Sequence, residues 1–133
     1  MANPFVHIEL HTGDLAKSKA FYSQLFDWKL EDVATPENGV PYTMINVGSG
    51  TGGGMMVNLA QHEPAHWQAF VGVDDIKAST EKAKSLGATV VQEVMDMGDH
   101  GWISVIVDPA GADSLCGKRR LTPELRFLNL QFF

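Results

Sequence analysis

Apolar and polar residues alternate along residues 5–11, and this alternation predicts a β-strand. Successive side chains of a strand point to opposite faces, so the two sets are expected to lie on different sides of a sheet. The apolar set is expected to pack beneath the following helix: Val6, Ile8 and Leu10. The polar set shares the opposite face: His7, Glu9 and His11. His7 and Glu9 are therefore the first candidate site residues, whereas His11, at the strand end, is expected to be a solvated turn histidine.

The same pattern recurs 61 residues further along the chain. His7 then aligns with Gln68, and Glu9 aligns with Phe70. Each copy of the strand runs into an aspartate, Asp14 in the first and Asp75 in the second, which can cap the helix that follows. We interpret the chain as a doubled unit, in which Gln68 and Phe70 share a face equivalent to that of His7 and Glu9.

The periodicity within each copy predicts one strand, one helix and three further strands. The predicted helices are residues 15–26 and 76–86, and the second is expected to face inward with Ile76, Thr80, Ala83 and Leu86. The predicted strands after the first are residues 28–33, 42–47, 55–59, 66–73, 88–94, 101–107 and 112–117. The glycine-rich residues 48–54 are interpreted as a flexible connection. Each copy is thus a βαβββ unit, and the fold class is α+β.

The length of 133 residues suits a single domain, with a first unit at about 4–60, a second at about 65–117 and a tail at 118–133. The net charge of −6 opposes binding to nucleic acid. No apolar run reaches the ~20 residues of a membrane span, so no membrane partner is expected. The single Cys116 and the absence of a charged and apolar leader before Phe5 favour a cytoplasmic location.

Several motifs, in this order and spacing, resemble the vicinal oxygen chelate superfamily. They are Ala20-Phe21-Tyr22, Gly53-Gly54-Met55-Met56, Val73-Asp74-Asp75 and Val107-Asp108-Pro109-Ala110-Gly111. The superfamily includes glyoxalase I, extradiol dioxygenases and bleomycin-resistance binding proteins. The resemblance implies two βαβββ units that form a curved mixed sheet around a cavity.

The metal-binding members of this superfamily carry ligands on the first and fourth strand of each unit. His7 and Gln68 match the first-strand positions. The fourth-strand positions offer no carboxylate: Met55, Met56 or Val57 in one unit, and Ser114, Leu115 or Cys116 in the other. Because a catalytic metal generally needs about three protein ligands, we expect no tightly held metal. If a divalent metal is the cofactor, the resemblance implies that His7 and Gln68 hold it.

The main hypothesis is a small-molecule-binding protein without a tightly held metal, whose ligand is partly apolar. Its candidate ligand-binding residues are His7, Glu9, Gln68, Phe70, Met56 and Trp102; no catalytic residue is assigned. The first alternative is a metal-dependent lyase or dioxygenase of the same superfamily. A protein-interaction module is the third hypothesis, because the apolar tail predicts burial against the chain itself or a second copy, and we expect a homodimer.

Overall fold

The computed structural model describes residues 3–33, 40–58, 64–96 and 101–118 of the chain. The first half contains β1 (Phe5–Thr12), α1 (Leu15–Leu25), β2 (Lys29–Asp32), β3 (Tyr42–Asn46) and β4 (Gly53–Val57). The second half contains β5 (His66–Gly72), α2 (Ile76–Ser85), β6 (Thr89–Asp96), β7 (Trp102–Val107) and β8 (Asp113–Lys118). The order strand, helix and three strands therefore occurs twice, as the sequence pattern predicts.

The eight strands form one curved mixed sheet in the order β2-β3-β4-β1-β5-β8-β7-β6. The two halves meet where β1 pairs antiparallel with β5. Within each half, the first strand pairs parallel with the last, β1 with β4 and β5 with β8. The predicted α+β class is confirmed.

The backbone register of the two halves coincides under the 61-residue shift where the first strand pairs with the last and where the third strand pairs with the last. Tyr42 lies opposite Met56 in the first half, and Ile103 lies opposite Gly117 in the second. Glu9 lies opposite Gly54, and Phe70 lies opposite Leu115 in the same way. Equivalent backbone positions in the two units can therefore be compared residue by residue.

Both predicted helix caps are present. The Asp14 carboxylate accepts a hydrogen bond from the backbone N–H of Lys17, and the Asp75 carboxylate accepts one from Ala78, each at 3.0 Å. These bonds satisfy N–H groups that have no partner inside the helix. The chain leaves α2 at Gly87, whose φ of +99° lies in the left-handed region that glycine tolerates best.

Both helices lie on the same face of the sheet. In the first half, Leu10, Ile45 and Met55 form a buried cluster against which residues of α1 pack, among them Leu15 and Tyr22. In the second half, the buried Thr80 of α2 hydrogen-bonds Ser104 of β7 at 2.9 Å. We call this side the helix face and the opposite side, which carries His7, the site face. Neither helix in the described ranges has the length and apolar content needed to cross a membrane.

Three local predictions need correction. Val6 does not join Ile8 and Leu10 beneath the helix, because the register shifts between Phe5 and His7, and this irregularity lets Val6 pack against Phe70 on the site face. Leu86 is 68% exposed, since α2 ends at Ser85, one residue before it. The fourth strand begins at Gly53 instead of Met55, so the end of the glycine run belongs to the sheet.

The close packing of β1 against β4 explains why glycine opens that strand. A Cβ atom at position 53 would overlap the carbonyl oxygen of Ile8 on the neighbouring strand. Glycine therefore permits the approach of two backbones, and the residue is part of the sheet for that reason.

Some predictions fall on parts of the chain outside the described ranges. The apolar tail at 118–133 lies outside them except for Lys118. The link at 59–63, which includes most of the boundary between the two units, is another. The homodimer and the role of the tail therefore stay predictions.

Candidate functional site

Three pairs of residues from β1 and β5 form the centre of the site face. Residues directly opposite each other on antiparallel strands project to the same side of a sheet. The opposing pairs are His7 with Phe70, Glu9 with Gln68, and His11 with His66. The strand alternation that predicted His7, Glu9, Gln68 and Phe70 on one face is thus matched by the register.

Two further strands extend this face towards the edge of the first unit. Register places Gly54 of β4 beside Glu9, and Met56 beside His11. On the next strand, Tyr42 lies opposite Met56. Tyr42 is two strands away from Glu9, and only a long side chain that crosses over Gly54 can join them.

The Tyr42 side chain makes that crossing and connects two polar residues of β1. Its hydroxyl group donates to Glu9 Oε2 at 2.6 Å and lies 2.7 Å from His7 Nε2. A phenol has one hydrogen, which is donated to Glu9, so His7 Nε2 carries a hydrogen and donates it to the phenol oxygen. The result is a directed chain of hydrogen bonds from His7 through Tyr42 to Glu9.

Glu9 receives a second hydrogen bond from His11, two residues further along the same strand. His11 Nε2 lies 2.7 Å from Glu9 Oε1, and an ionised carboxylate only accepts, so this ring nitrogen also carries a hydrogen. Each oxygen of Glu9 therefore has its own donor. His11 is a member of the site, and the prediction that it is a solvated turn residue is wrong, since its side chain is 19% exposed.

The residues of the hydrogen-bonded chain His7–Tyr42–Glu9 are largely buried. His7 is 1% exposed and Glu9 is 8% exposed. Burial, followed by the neighbouring Glu9 carboxylate, raises the pKa of Tyr42 well above its ordinary value near 10. Tyr42 is therefore a neutral phenol at physiological pH. It donates a hydrogen bond to Glu9 without adding a charge beside it.

A second hydrogen-bonded arrangement lies beside the first, on β5. His66 Nδ1 donates to the carbonyl oxygen of Pro64 at 2.8 Å, since that oxygen only accepts. In the neutral ring, His66 Nε2 is then the acceptor for the Gln68 amide nitrogen, which lies 3.0 Å away. The rings of His66 and His11 are 5.2 Å apart between centroids. Gln68 thus reaches the face with its amide oriented by a histidine.

Apolar side chains form the wall of the site face on the side of the second unit. Phe70 is 1% exposed and meets the His7 ring edge-on, with 5.1 Å between ring centroids. Val6, Ile103 and Val105 pack against Phe70. The face therefore combines a polar half with an apolar half.

Five of the six predicted ligand-binding residues share this face: His7, Glu9, Gln68, Phe70 and Met56. The structure does not bring Trp102 to them. Trp102 stands two residues before Ser104 on β7, and Ser104 is bonded to α2, so strand alternation puts both on the helix face. The repeat aligns His7 with Gln68 and Glu9 with Phe70, but β1 and β5 are antiparallel. His7 therefore lies opposite Phe70, and Glu9 lies opposite Gln68.

The sequence analysis missed Tyr42, Gly54 and His66 as members of the site. Tyr42 joins Glu9 only because β4 lies between β3 and β1. A Cβ at position 54 would overlap the hydroxyl oxygen and two ring carbons of Tyr42. The sequence did contain a signal for both residues. Tyr42 and Gly54 differ in character from the residues 61 positions later, Ile103 and Leu115.

The donor set of this face does not fit a catalytic metal. The Tyr42 hydroxyl lies between His7 Nε2 and Glu9 Oε2, and the Gln68 amide is engaged with His66. The β4 positions on this face carry Gly54 and Met56. Within the described ranges, no group of three or more His, Cys, Asp or Glu residues is arranged to hold a metal ion.

Known proteins resemble this chain in sequence. The family profile that matches residues 5–113 describes the "Glyoxalase/Bleomycin resistance protein/Dioxygenase superfamily". CFP32 of Mycobacterium tuberculosis, which carries the provisional name of a glyoxylase, is 32% identical over 108 residues, covering 79% of this chain and 41% of that protein. The anthracycline biosynthesis protein DnrV of Streptomyces peucetius is 29% identical over 122 residues, covering 78% of this chain and 42% of that protein. The chain thus spans about two-fifths of the length of these relatives.

Solved structures resemble the fold. Methylmalonyl-CoA epimerase from Mycobacterium tuberculosis superposes with a TM-score of 0.68 at 18% identity, covering 93% of this chain and 91% of that one. A hypothetical protein from Bacillus halodurans C-125 superposes with a TM-score of 0.71 at 15% identity, covering 92% of this chain and 98% of that one. At these identities the likeness establishes the fold alone.

Proposed function

Since the chain belongs to the glyoxalase/bleomycin resistance protein/dioxygenase superfamily, we propose that its site face binds a small organic molecule with an apolar body and a polar edge. The observation that carries this proposal is the buried hydrogen-bonded chain of His7, Tyr42 and Glu9. Burying an imidazole and a carboxylate costs free energy that an apolar sheet face would avoid. Such groups, converging beside apolar walls, are typical of a ligand site.

The two halves of the face suit the two parts of such a ligand. His7 Nε2–H and the Gln68 amide can donate to a ligand, and Glu9 can accept from it, where the ligand takes the place of their present partners, Tyr42 and His66. Met56 is partly exposed and supplies apolar surface, and its thioether adapts readily to different ligand shapes. Phe70 is buried and contributes by packing edge-on against the His7 ring. The names of two relatives, a provisional glyoxylase (CFP32) and an anthracycline biosynthesis protein (DnrV), refer to small-molecule chemistry and support a small organic ligand.

A proton-transfer enzyme is the second candidate function, and one distance favours it. Glu9 Oε2 lies 3.8 Å from His7 Nε2, so a carboxylate base and a hydrogen-bond donor are close together. A base next to a donor can remove a proton adjacent to a carbonyl group while the donor stabilises the oxygen. We assign these roles to two side chains of this chain, Glu9 as the base and His7 as the donor.

The test of the binding proposal is a ligand screen followed by calorimetry on three variants. Compounds that raise the melting temperature of the wild-type protein are selected first, because a ligand of the native state stabilises it in proportion to its saturation. His7→Ala and Gln68→Ala should each weaken binding about 2- to 13-fold, the loss of about 0.5–1.5 kcal/mol for one neutral hydrogen bond. Thr43→Ala is the matched control, because Thr43 is buried on the helix face of β3 and should leave affinity unchanged.

The same experiment has a clear contrary result. If His7→Ala and Gln68→Ala both fold and bind every hit with wild-type affinity, the ligand lies elsewhere and the proposal is wrong. An equal loss in Thr43→Ala would also contradict it, since the effect would then come from general destabilisation. Melting curves of the three variants without ligand separate these cases.

A further inference from the structure

We infer that the Tyr42 side chain is an internal occupant of the ligand site, and that the ligand is a planar ring bearing a hydroxyl group that replaces the Tyr42 phenol. This inference rests on the proposed function, because it names the ligand class of the same face. Its basis is the geometry around one oxygen atom. The Tyr42 oxygen is 2.7 Å from His7 Nε2 and 2.6 Å from Glu9 Oε2.

The two partners of that oxygen specify the chemistry of the group between them. His7 Nε2 donates, and Glu9 only accepts, so the group must accept and donate at once. A hydroxyl does both. A carbonyl oxygen accepts from His7 but has no hydrogen for Glu9, and a carboxylate of the ligand would be repelled by the Glu9 carboxylate. The site therefore selects a neutral hydroxyl.

The shape around Tyr42 specifies a flat group. A Cβ at Gly54 would overlap the Tyr42 hydroxyl oxygen together with its Cζ and Cε1 atoms, so the ring crosses directly over the Gly54 backbone. The Tyr42 and His7 rings are nearly parallel, with an interplanar angle of 18° and 6.4 Å between centroids. The space above Gly54 is a slot that accepts an aromatic ring.

The slot occurs in one unit only. The positions equivalent to Tyr42, Gly54 and Glu9 in the second unit carry Ile103, Leu115 and Phe70. The strands that carry these positions have the same register in both units, so the slot is not a requirement of the fold. The glycine, the phenol and the carboxylate occur together in the first unit, where they contact one another.

Tyr42 and the ligand are mutually exclusive in this arrangement. The ligand hydroxyl takes the same two partners, so the Tyr42 ring must leave the slot before the ligand enters. Leaving breaks two hydrogen bonds, one of them to a charged group, and this cost lowers the apparent affinity. Removing the Tyr42 side chain should therefore strengthen binding of a hydroxylated ring.

The experiment uses p-cresol, which has the structure of a tyrosine side chain, and 4-methylanisole, in which a methyl group replaces the hydroxyl hydrogen. The chain has two tyrosines, Tyr22 and Tyr42, so protein labelled with carbon-13 at tyrosine Cζ gives two signals, which Tyr22→Phe assigns. We expect p-cresol to shift the Tyr42 signal saturably towards that of a solvated phenol. The Tyr22 signal should stay, and 4-methylanisole should leave both unchanged.

Calorimetry on Tyr42→Ala supplies the second measurement. This variant should bind p-cresol at least about tenfold more tightly than the wild-type protein, and should prefer p-cresol to 4-methylanisole by a similar factor. Tyr22→Phe is the matched control and should behave as wild type. If Tyr42→Ala fails to fold, Tyr42→Phe decides, because it removes only the competing hydroxyl and should also bind p-cresol more tightly than wild type.

Any one of three results with the two probes would overturn the inference. They are an unchanged Tyr42 signal up to the solubility limit of p-cresol, equal displacement by both probes, and equal affinity of both probes for Tyr42→Ala. A screening hit that lacks a hydroxyl and leaves Tyr42 in place, yet depends on His7 and Gln68, would sink this inference and leave the binding proposal intact. Hits that bind independently of His7 and Gln68 would remove the proposed function itself.

Discussion

The first unit places a buried carboxylate where the second places a phenyl ring. Glu9 and Phe70 occupy equivalent points on β1 and β5, and each faces the equivalent position on its own last strand, Gly54 or Leu115. The two units share helix caps and strand order, and the strands that carry these positions have the same register. The difference indicates that the fold does not require a carboxylate at this point, and this is why we attribute the polar set of the first unit to ligand binding.

On the helix face it is the second unit that carries the buried polar pair, and the first unit has an exposed ion pair instead. In the first, Lys19 and Thr43 both contact Asp32, and the Asp32 side chain is 67% exposed. In the second, the buried Thr80 and Ser104 stand at the positions equivalent to Lys19 and Thr43. Each unit thus satisfies its polar groups locally, by an ion pair in one case and by two hydroxyl groups in the other.

The largest expected effect comes from Gly54→Ala, which closes the space that distinguishes the first unit. The new methyl group overlaps Tyr42, so the ring must move and its hydrogen bonds to His7 and Glu9 break. We expect a loss of about 3 kcal/mol in the free energy of unfolding, measured with urea. Gly13→Ala is the control, because no atom lies within 4 Å of a Cβ there. Equal costs for both variants would contradict the close packing at Gly54.

Tyr42→Phe tests the hydroxyl alone. It leaves the ring in place but removes one donor from Glu9 and one acceptor from His7, both buried. We expect a loss of about 1–3 kcal/mol, the cost of leaving buried polar groups unsatisfied. Tyr22→Phe, in a ring that packs against Trp28 and Trp67, should cost much less. If chemical denaturation gives similar values for the two variants, the hydrogen-bonded chain contributes nothing to stability.

Alkaline pH provides an independent test of the same hydroxyl. Because the pKa of Tyr42 is higher in the folded protein than in the unfolded chain, its contribution is complete below pH ~10. The contribution is lost as pH rises through the folded value, by up to about 1.4 kcal/mol per pH unit. Wild-type stability should therefore fall more steeply above pH ~10 than that of Tyr42→Phe. Parallel pH profiles of the two proteins would show that Tyr42 is not desolvated.

Ser104→Ala tests the hydroxyl pair of the second unit and should have a smaller effect. Thr80 Oγ1 donates to the Ile76 carbonyl, so Ser104 is the donor in its 2.9 Å bond to Thr80. Removing it leaves the Thr80 hydrogen satisfied, and we expect a loss of about 1 kcal/mol in thermal or urea unfolding. Ligand affinity should not change, because Ser104 lies on the helix face. A change in affinity would mean that the two faces are coupled.

The smallest effect is expected for Asp32→Asn, at the exposed ion pair of the first unit. Lys19 first, and then Thr43, lowers the pKa of Asp32 below its ordinary value. The folded pKa is depressed, so any stabilisation is present above the unfolded-state pKa of about 3.9 and is lost as pH falls through the folded value. Salt should screen the pair. A stability difference from wild type that persists in high salt would contradict this account.

The repeated strand alternation made much of the site face predictable. Placing His7, Glu9, Gln68 and Phe70 on one face required only the period of a strand and the 61-residue shift. Asp14 and Asp75 were predictable as caps because the side chain of an N-cap bonds the backbone only a few residues away. Local rules sufficed wherever the interaction itself was local.

Interactions across several strands were not predictable in the same way. The contact between Tyr42 and Glu9 depends on β4 lying between their strands and on the absence of a side chain at Gly54. The sequence left the fourth-strand position open among Met55, Met56 and Val57. The register of β4 against β1 puts Met56 on the site face, and Met55 is fully buried on the helix face. Trp102 was assigned to the wrong face. Alternation divides the residues of a strand into two sets, but it does not say which set lies on the site face.

A crystal structure of the protein with a ligand from the thermal screen would test the central claim most directly, because it shows which face the ligand occupies. We expect the ligand on the site face, with a hydroxyl oxygen at hydrogen-bond distance from both His7 Nε2 and Glu9, its ring over Gly54, and the Tyr42 ring displaced. A ligand on the helix face, with the His7–Tyr42–Glu9 chain intact, would contradict the account.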